Sequence, residues 1–295
     1  MERDLDPGGD PVDAMLAVLD LASSDARTTE DIFTGTSHPM PSGRIFGGQV
    51  LAQAILAADR TTGDDRVPHS MHGYFLRPGD AGQGLTFSVD RIHDGRSFST
   101  RRTQAFQDGV PIFSMIASFE REDPGLDHQS SMPEGVPSPE EIRERSDGAS
   151  VHPLSRRLID ASPIEVVHVS GDLYSDATRA REPHQAVWMR TRRSIGDDPA
   201  LHRAVLAYLS DMTIQEPVLR AHGVSWAAHG LKVASLDHAM WWHRPARVDE
   251  WLLYVQDSPS ARGGRGLSTG RLFGRDGRLV ASVAQEIMVR VPEER

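Results

Sequence analysis

Apolar positions recur at helical spacing from Asp13 to Leu21 and again, over a longer run, from Gly48 to Ala58. Four strand-like runs follow at Ser70–Leu76, Leu85–His93, Ser97–Gln107 and Pro111–Glu120. Asp94-Gly95 and Asp108-Gly109 lie between such runs, where Asp-Gly suits a hairpin turn. The same order then returns. Asp198 can cap a helix with Pro199 at its first position, and Leu201, Val205, Tyr208 and Met212 follow at helical spacing. Strands are expected at Lys232–Trp242, Glu250–Asp257, Gly266–Phe273 and Arg278–Val291. One helix ahead of an antiparallel sheet is α+β, not alternating βαβ.

Two landmarks support duplication. Leu76-Arg77-Pro78 and His243-Arg244-Pro245 lie 167 residues apart, and Asp108-Gly109 and Asp276-Gly277 lie 168 apart. Chance competes, since both dipeptides are common. Residues 122–150 hold Pro124, Pro133, Pro137, Pro139 and many acidic groups and read as an exposed linker. Its run from Pro139 to Arg145 suits a surface helix.

A chain of 295 residues allows two domains. Its 38% hydrophobic and 25% charged residues fit a soluble globular protein. The net charge of −10 argues against a nucleic-acid surface. With no cysteine, disulfides, thiolate catalysis and cysteine zinc sites are excluded, which suits the cytoplasm. The acidic N-terminus is no signal peptide, no apolar run approaches the roughly 20 residues of a membrane span, and the C-terminus carries no peroxisomal address.

Three chemical motifs weaken on inspection. Gly266-Leu267-Ser268-Thr269-Gly270 matches a nucleophile elbow, but strand-like alternation continues through it and no histidine follows His243. An exposed strand serine is the better reading of Ser268. The pairs His69/His72 and His238/His243 have odd spacings in strands, which puts partners on opposite faces and disfavours a shared metal. Arg262-Gly263-Gly264-Arg265-Gly266 precedes no helix, so it is no dinucleotide fingerprint.

The segments Arg44–Ala54 and His69–Asp80, then Ala234–Pro245 and Glu250–Tyr254, occur in this order. Together they resemble the acyl-CoA thioesterase II family, double hotdog enzymes, over residues 12–291. The resemblance implies a tandem hotdog: an N-terminal one at 12–121, a linker and surface segment at 122–180, and a C-terminal one at 181–291 with the catalytic set. Two antiparallel sheets would each wrap a central helix. In that family an aspartate, a hydroxyl residue and a glutamine activate a water. They fall on Asp211, Ser235 and Gln285, with Ser235 standing where threonine is common and its rotamer less fixed.

Two arguments support the transfer independently. Asp211 lies late in its helix, where the dipole disfavours a negative charge; that and burial would raise its pKa. Gln285 shares a strand face with Leu279, Ala281, Val283, Ile287 and Val289, where an amide must find partners. Taken singly, surface or capping roles remain the plainer alternative for each. The sheet offsets set Ser235 opposite Pro68 and Gln285 opposite Ala117. Matching Leu51–Ala54 to Leu206–Leu209 sets Asp211 opposite Leu56. One catalytic set per chain is expected.

The resemblance implies hydrolysis of fatty acyl-CoA to fatty acid and coenzyme A, without cofactor or metal. Backbone N–H groups at a central helix start, or the Gln285 amide, are candidate oxyanion donors. Substrate-binding candidates are Gly47, Gly48, His69, Arg262 and Arg265; a solvated loop competes for the two arginines and a structural role for His69. A hotdog hydratase or dehydratase and a non-catalytic acyl-CoA-binding protein are the alternatives. A cytoplasmic homodimer or homotetramer is expected, with Met240-Trp241-Trp242 offering interface surface.

Overall fold

Each half of the chain lays antiparallel strands against one helix, and the two sets of strands join edge to edge. The structure, a computed structural model, describes residues 9–24, 26, 28–38, 43–146, 159–174 and 181–291. The first half contains α1 (Pro11–Leu19), β1 (Ala22–Ser23), β2 (Asp31–Gly35), α2 (Gly47–Asp59), β3 (Val67–Phe75), β4 (Leu85–Asp94), β5 (Phe98–Gln107) and β6 (Val110–Glu120). Helix α3 (Pro139–Ser146) follows. The second half contains β7 (Ile164–His168), β8 (His184–Thr191), α4 (Pro199–Ser210), α5 (Glu216–His222), β9 (Lys232–Ser235), β10 (Asp237–Trp242), β11 (Leu252–Arg262), β12 (Arg265–Gly274) and β13 (Leu279–Arg290). Among the described residues no helix is long and apolar enough to cross a membrane.

The strands form one sheet in the order β1-β2-β4-β5-β6-β3-β10-β13-β12-β11-β8-β7, with β9 pairing β13 off that path. Read from its outer edge, the second half repeats the order of the first. The two expected sheets are therefore continuous through the antiparallel β3–β10 seam, where Met71 lies opposite Met240. Helix α2 is buried from Gly48 to Ala58, as a central helix enclosed by its sheet must be, and it packs against α4.

The repeated landmarks make the same bonds in each half. Leu76 and Arg77 both donate backbone N–H groups to Ile112 O, as His243 and Arg244 do to Val280 O. The Arg77 guanidinium donates to Pro111 O and that of Arg244 to Leu279 O. The helices correct one alignment. α2 and α4 begin at Gly47 and Pro199 and end at Asp59 and Ser210, separations of 152 and 151 residues rather than 155. Asp211 thus lies opposite Arg60, not Leu56.

Four strands carried no usable sequence signal. β8 is buried from Gln185 to Met189 on both faces, so it lacks alternation. β7 lies in the stretch expected to be linker and pairs with β8, while β1 is a two-residue edge strand and β2 a five-residue strand between it and β4. Met240 and Trp242 are buried inside the chain, which removes them as interface surface; only the half-buried Trp241 faces outward, edge-on to His72.

Candidate active site

The site forms where the end of α4 meets the start of α2. Asp198 caps α4 through its carboxylate to Ala200 N at 2.9 Å, with Pro199 next, as expected. The helix then delivers Asp211 as its C-cap, 3 % exposed. A carboxylate is disfavoured at that negative helix end. The facing N-terminus of α2 compensates: its N-cap Phe46 makes no side-chain cap, and the Gly48 N–H donates to the Asp211 carboxylate. The glycine pair permits this approach. A Cβ on residue 47 would lie 2.6 Å from Asp211 Oδ2, and one on residue 48 would lie 2.2 Å from Tyr208 O.

Sheet register supplies the rest. β10 pairs Ala239 with Ala284, whereas β9 pairs Ser235 with Ile287, a slip of one residue at Leu236. Such a bulge reverses the alternation of faces. Ser235 and His238, three apart, consequently share the inner face with Gln285. Ser235 Oγ donates to Asp211 Oδ1 at 3.1 Å. The Gln285 amide donates to Asp211 Oδ1 at 3.0 Å and to Ser235 Oγ at 2.9 Å. Burial raises the Asp211 pKa from 3.8 to about 6, against the lowering pull of bonds from Gln285, Ser235 and Gly48.

Two further residues complete the cluster. Gln215 donates to Ser235 Oγ at 2.9 Å. His238, fully buried, stands between Gln285 and Ser210: its Nδ1 bonds Gln285 Oε1, and its Nε2 lies 3.0 Å from Ser210 Oγ. Gln215 lies outside the segments that carry the resemblance, and His238, within Ala234–Pro245, suggests by its sequence only a metal ligand. The signal for His238 was its phase beside Gln285, hidden by the bulge.

The structure brings Gly47 and Gly48 to Asp211 but not the other binding candidates. His69 is the bulge residue of β3, against Phe98, and its Nε2 has no partner among the described residues. It lies five residues, roughly 16 Å of strand, from Tyr74 at the end that meets Asp237. Arg262 and Arg265 flank the exposed β11–β12 turn, and Arg265 pairs with Glu286. Ser268 is a strand residue, but it is buried, not exposed: it lies beside Gln285 in register, 0 % exposed, with no hydrogen-bond partner for Oγ among the described residues.

The first half closes its equivalent position. Arg60, Pro68 and Ala117 stand opposite Asp211, Ser235 and Gln285. Arg101, paired with Ala117 as Ser268 is with Gln285, fills the space with a buried guanidinium bonded to Thr61 and Asp94.

Two family models match the chain: one described as acyl-CoA thioesterase over residues 175–288, the other as acyl-CoA thioesterase N-terminal domain over 36–120. Acyl-coenzyme A thioesterase 8 of Homo sapiens is 39% identical over 97% of this chain and 92% of its own length. Acyl-CoA thioesterase 2 of Haemophilus influenzae is 34% identical over 89% of this chain and 93% of its own. The solved structure of the acyl-CoA thioesterase II TesB2 from Mycobacterium marinum superposes with a TM-score of 0.74 at 38% identity, covering 96% of this chain and 99% of that one. With relatives this similar along nearly its whole length, the chain belongs to the acyl-CoA thioesterase II family.

Proposed function

We propose that this protein hydrolyses fatty acyl-CoA to free fatty acid and coenzyme A with a water activated by Asp211. The observation that carries the mechanism is the convergence of donors on one carboxylate oxygen. Ser235 and Gln285 both donate to Oδ1. Oδ2, beside the side-chain-free Gly47, is then the oxygen placed to take a proton from water. A pKa of about 6 leaves Asp211 ionised at neutral pH, yet basic enough for proton transfer. In this geometry Ser235 and Gln285 orient the base as well as the water. The thioester carbonyl would lie against the uncapped start of α2, where backbone amides and the positive helix end suit a developing oxyanion. Coenzyme A leaves as a thiolate, so water attack needs no covalent intermediate.

The catalytic trio belongs to the C-terminal hotdog, which we assign to 181–291, joined through 122–180 to an N-terminal hotdog at 12–121. The latter contributes Gly47 and Gly48, so neither hotdog holds the whole site. We further propose a cytoplasmic homodimer or homotetramer. In support, the outer face of the sheet exposes Tyr74, 63 % accessible, and Ile116.

A screen of acyl-CoA thioesters of increasing chain length, following free thiol and fatty acid together, tests the activity. Stoichiometric release of both is expected. A hydrated or dehydrated acyl-CoA without thiol release, or binding without turnover, would overturn it.

A further inference from the structure

We propose that His238 is a positioning residue: as the Nδ1–H tautomer it fixes which way the Gln285 amide faces, and so aims the amide hydrogens at Asp211 and Ser235. The inference rests on the assignment of Asp211, Ser235 and Gln285 above. It follows from counting hydrogens. The Asp211 carboxylate only accepts, so the Gln285 group bonded to it at 3.0 Å must be the NH2. That leaves Oε1, a pure acceptor, facing His238 Nδ1, which must carry the hydrogen. Burial lowers the His238 pKa to about 4, so the ring is neutral near pH 7 and Nε2 holds a lone pair. Ser210 Oγ lies 3.0 Å from Nε2 and 2.8 Å from Ala207 O, and its single hydrogen can turn from that carbonyl to the Nε2 lone pair.

A glutamine amide has two orientations of nearly equal shape. With Oε1 turned towards Asp211, an acceptor would face the carboxylate and both donors to the site would be lost. Ser235 does not select between the two, since a hydroxyl both donates and accepts. The acceptor-only Asp211 carboxylate excludes the turned amide, and His238 supplies what the retained orientation needs, an Nδ1–H for Oε1; the other tautomer would set a lone pair against that oxygen. The chain runs Ser210–His238–Gln285–Asp211, from the residue before the base back to the base. In the first half Met71 pairs with Ala117, so the device exists only where there is an amide to orient.

The test is a double-mutant cycle with steady-state kinetics on a medium-chain acyl-CoA. His238→Leu should lower kcat at least about tenfold with KM changed less than about twofold, since misplacement of a reacting group acts on the transition state. His238→Asn, whose side-chain NH2 occupies the Nδ1 position, should keep kcat within about threefold. In a Gln285→Ala background, His238→Leu should cost nothing further. Equal losses in both backgrounds would mean a merely structural histidine and overturn the proposal. If Gln285→Ala alone left kcat unchanged, the underlying site assignment would fail instead. Nitrogen-15 NMR of the wild-type protein, with His238 assigned from the asparagine variant, is independent of variant stability. The Nδ1–H tautomer at pH 7 is expected, and the Nε2–H tautomer would refute the proposal.

Discussion

Replacing Asp211 with asparagine removes the proposed base and a buried charge together, and the two consequences point in opposite directions. Burial raises this carboxyl from 3.8 to about 6, so the folded state binds its proton more tightly than the unfolded state does. Between those values stability falls as pH rises, by about 3 kcal/mol over the full titration and about 2 kcal/mol between pH 4.5 and pH 8. Asparagine does not titrate, so its variant escapes that loss. It also turns one acceptor oxygen into a donor, leaving one of the donors from Gln285, Ser235 or Gly48 unmatched at about 1–3 kcal/mol. The stability difference at any one pH is thus a balance of similar terms, but its change with pH is not. Urea unfolding at pH 4.5 and 8 should show the variant gaining about 2 kcal/mol on the wild type as pH rises. Meanwhile kcat should drop at least tenfold, within the roughly 10²–10⁴-fold typical of a lost general base. Wild-type kcat should fall as pH drops through about 6, because the base must be ionised. A pH-independent stability difference would refute the desolvated carboxylate, and near-normal turnover would refute the base.

Gln285→Ala should lower kcat more than it raises KM, whereas His69→Ala, far from the trio, should cost only stability; a folded but inactive His69 variant beside an active Gln285 variant would relocate the site. Gly48→Ala puts a Cβ 2.2 Å from Tyr208 O, so the central helices must part, at about 1–3 kcal/mol. A lower Tm is expected, and an unchanged one would mean the helices do not cross so closely. Light scattering at micromolar concentration should give the mass of two or four chains; a monodisperse mass of one chain, 32.4 kDa, would count against assembly.

The sequence by itself determined the elements whose pattern is local. Alternation marked β4, β5, β6, β12 and β13 to within a few residues. The Asp198-Pro199 cap marked the start of α4, and the Arg-Pro and Asp-Gly landmarks marked the duplication. The family resemblance pointed to Asp211 and Gln285, and the cost of a carboxylate at a helix end and of an amide on an apolar strand face supported that transfer. Only the tertiary structure decided what surrounds them. The one-residue bulge at Leu236 puts Ser235 and His238 on one face despite their odd spacing, and a bulge is defined by its partner strand, not by its own sequence. The approach of Gly48 to Asp211 depends on two helices about 150 residues apart packing backbone to backbone. Ser268 looked exposed because its strand alternates. It is buried because β12 lies between β11 and β13, with its inner face turned towards the helices. Local periodicity fixes which face of an element is apolar. Where two such faces meet, and which polar groups they trap between them, is set by register and helix packing across the whole chain.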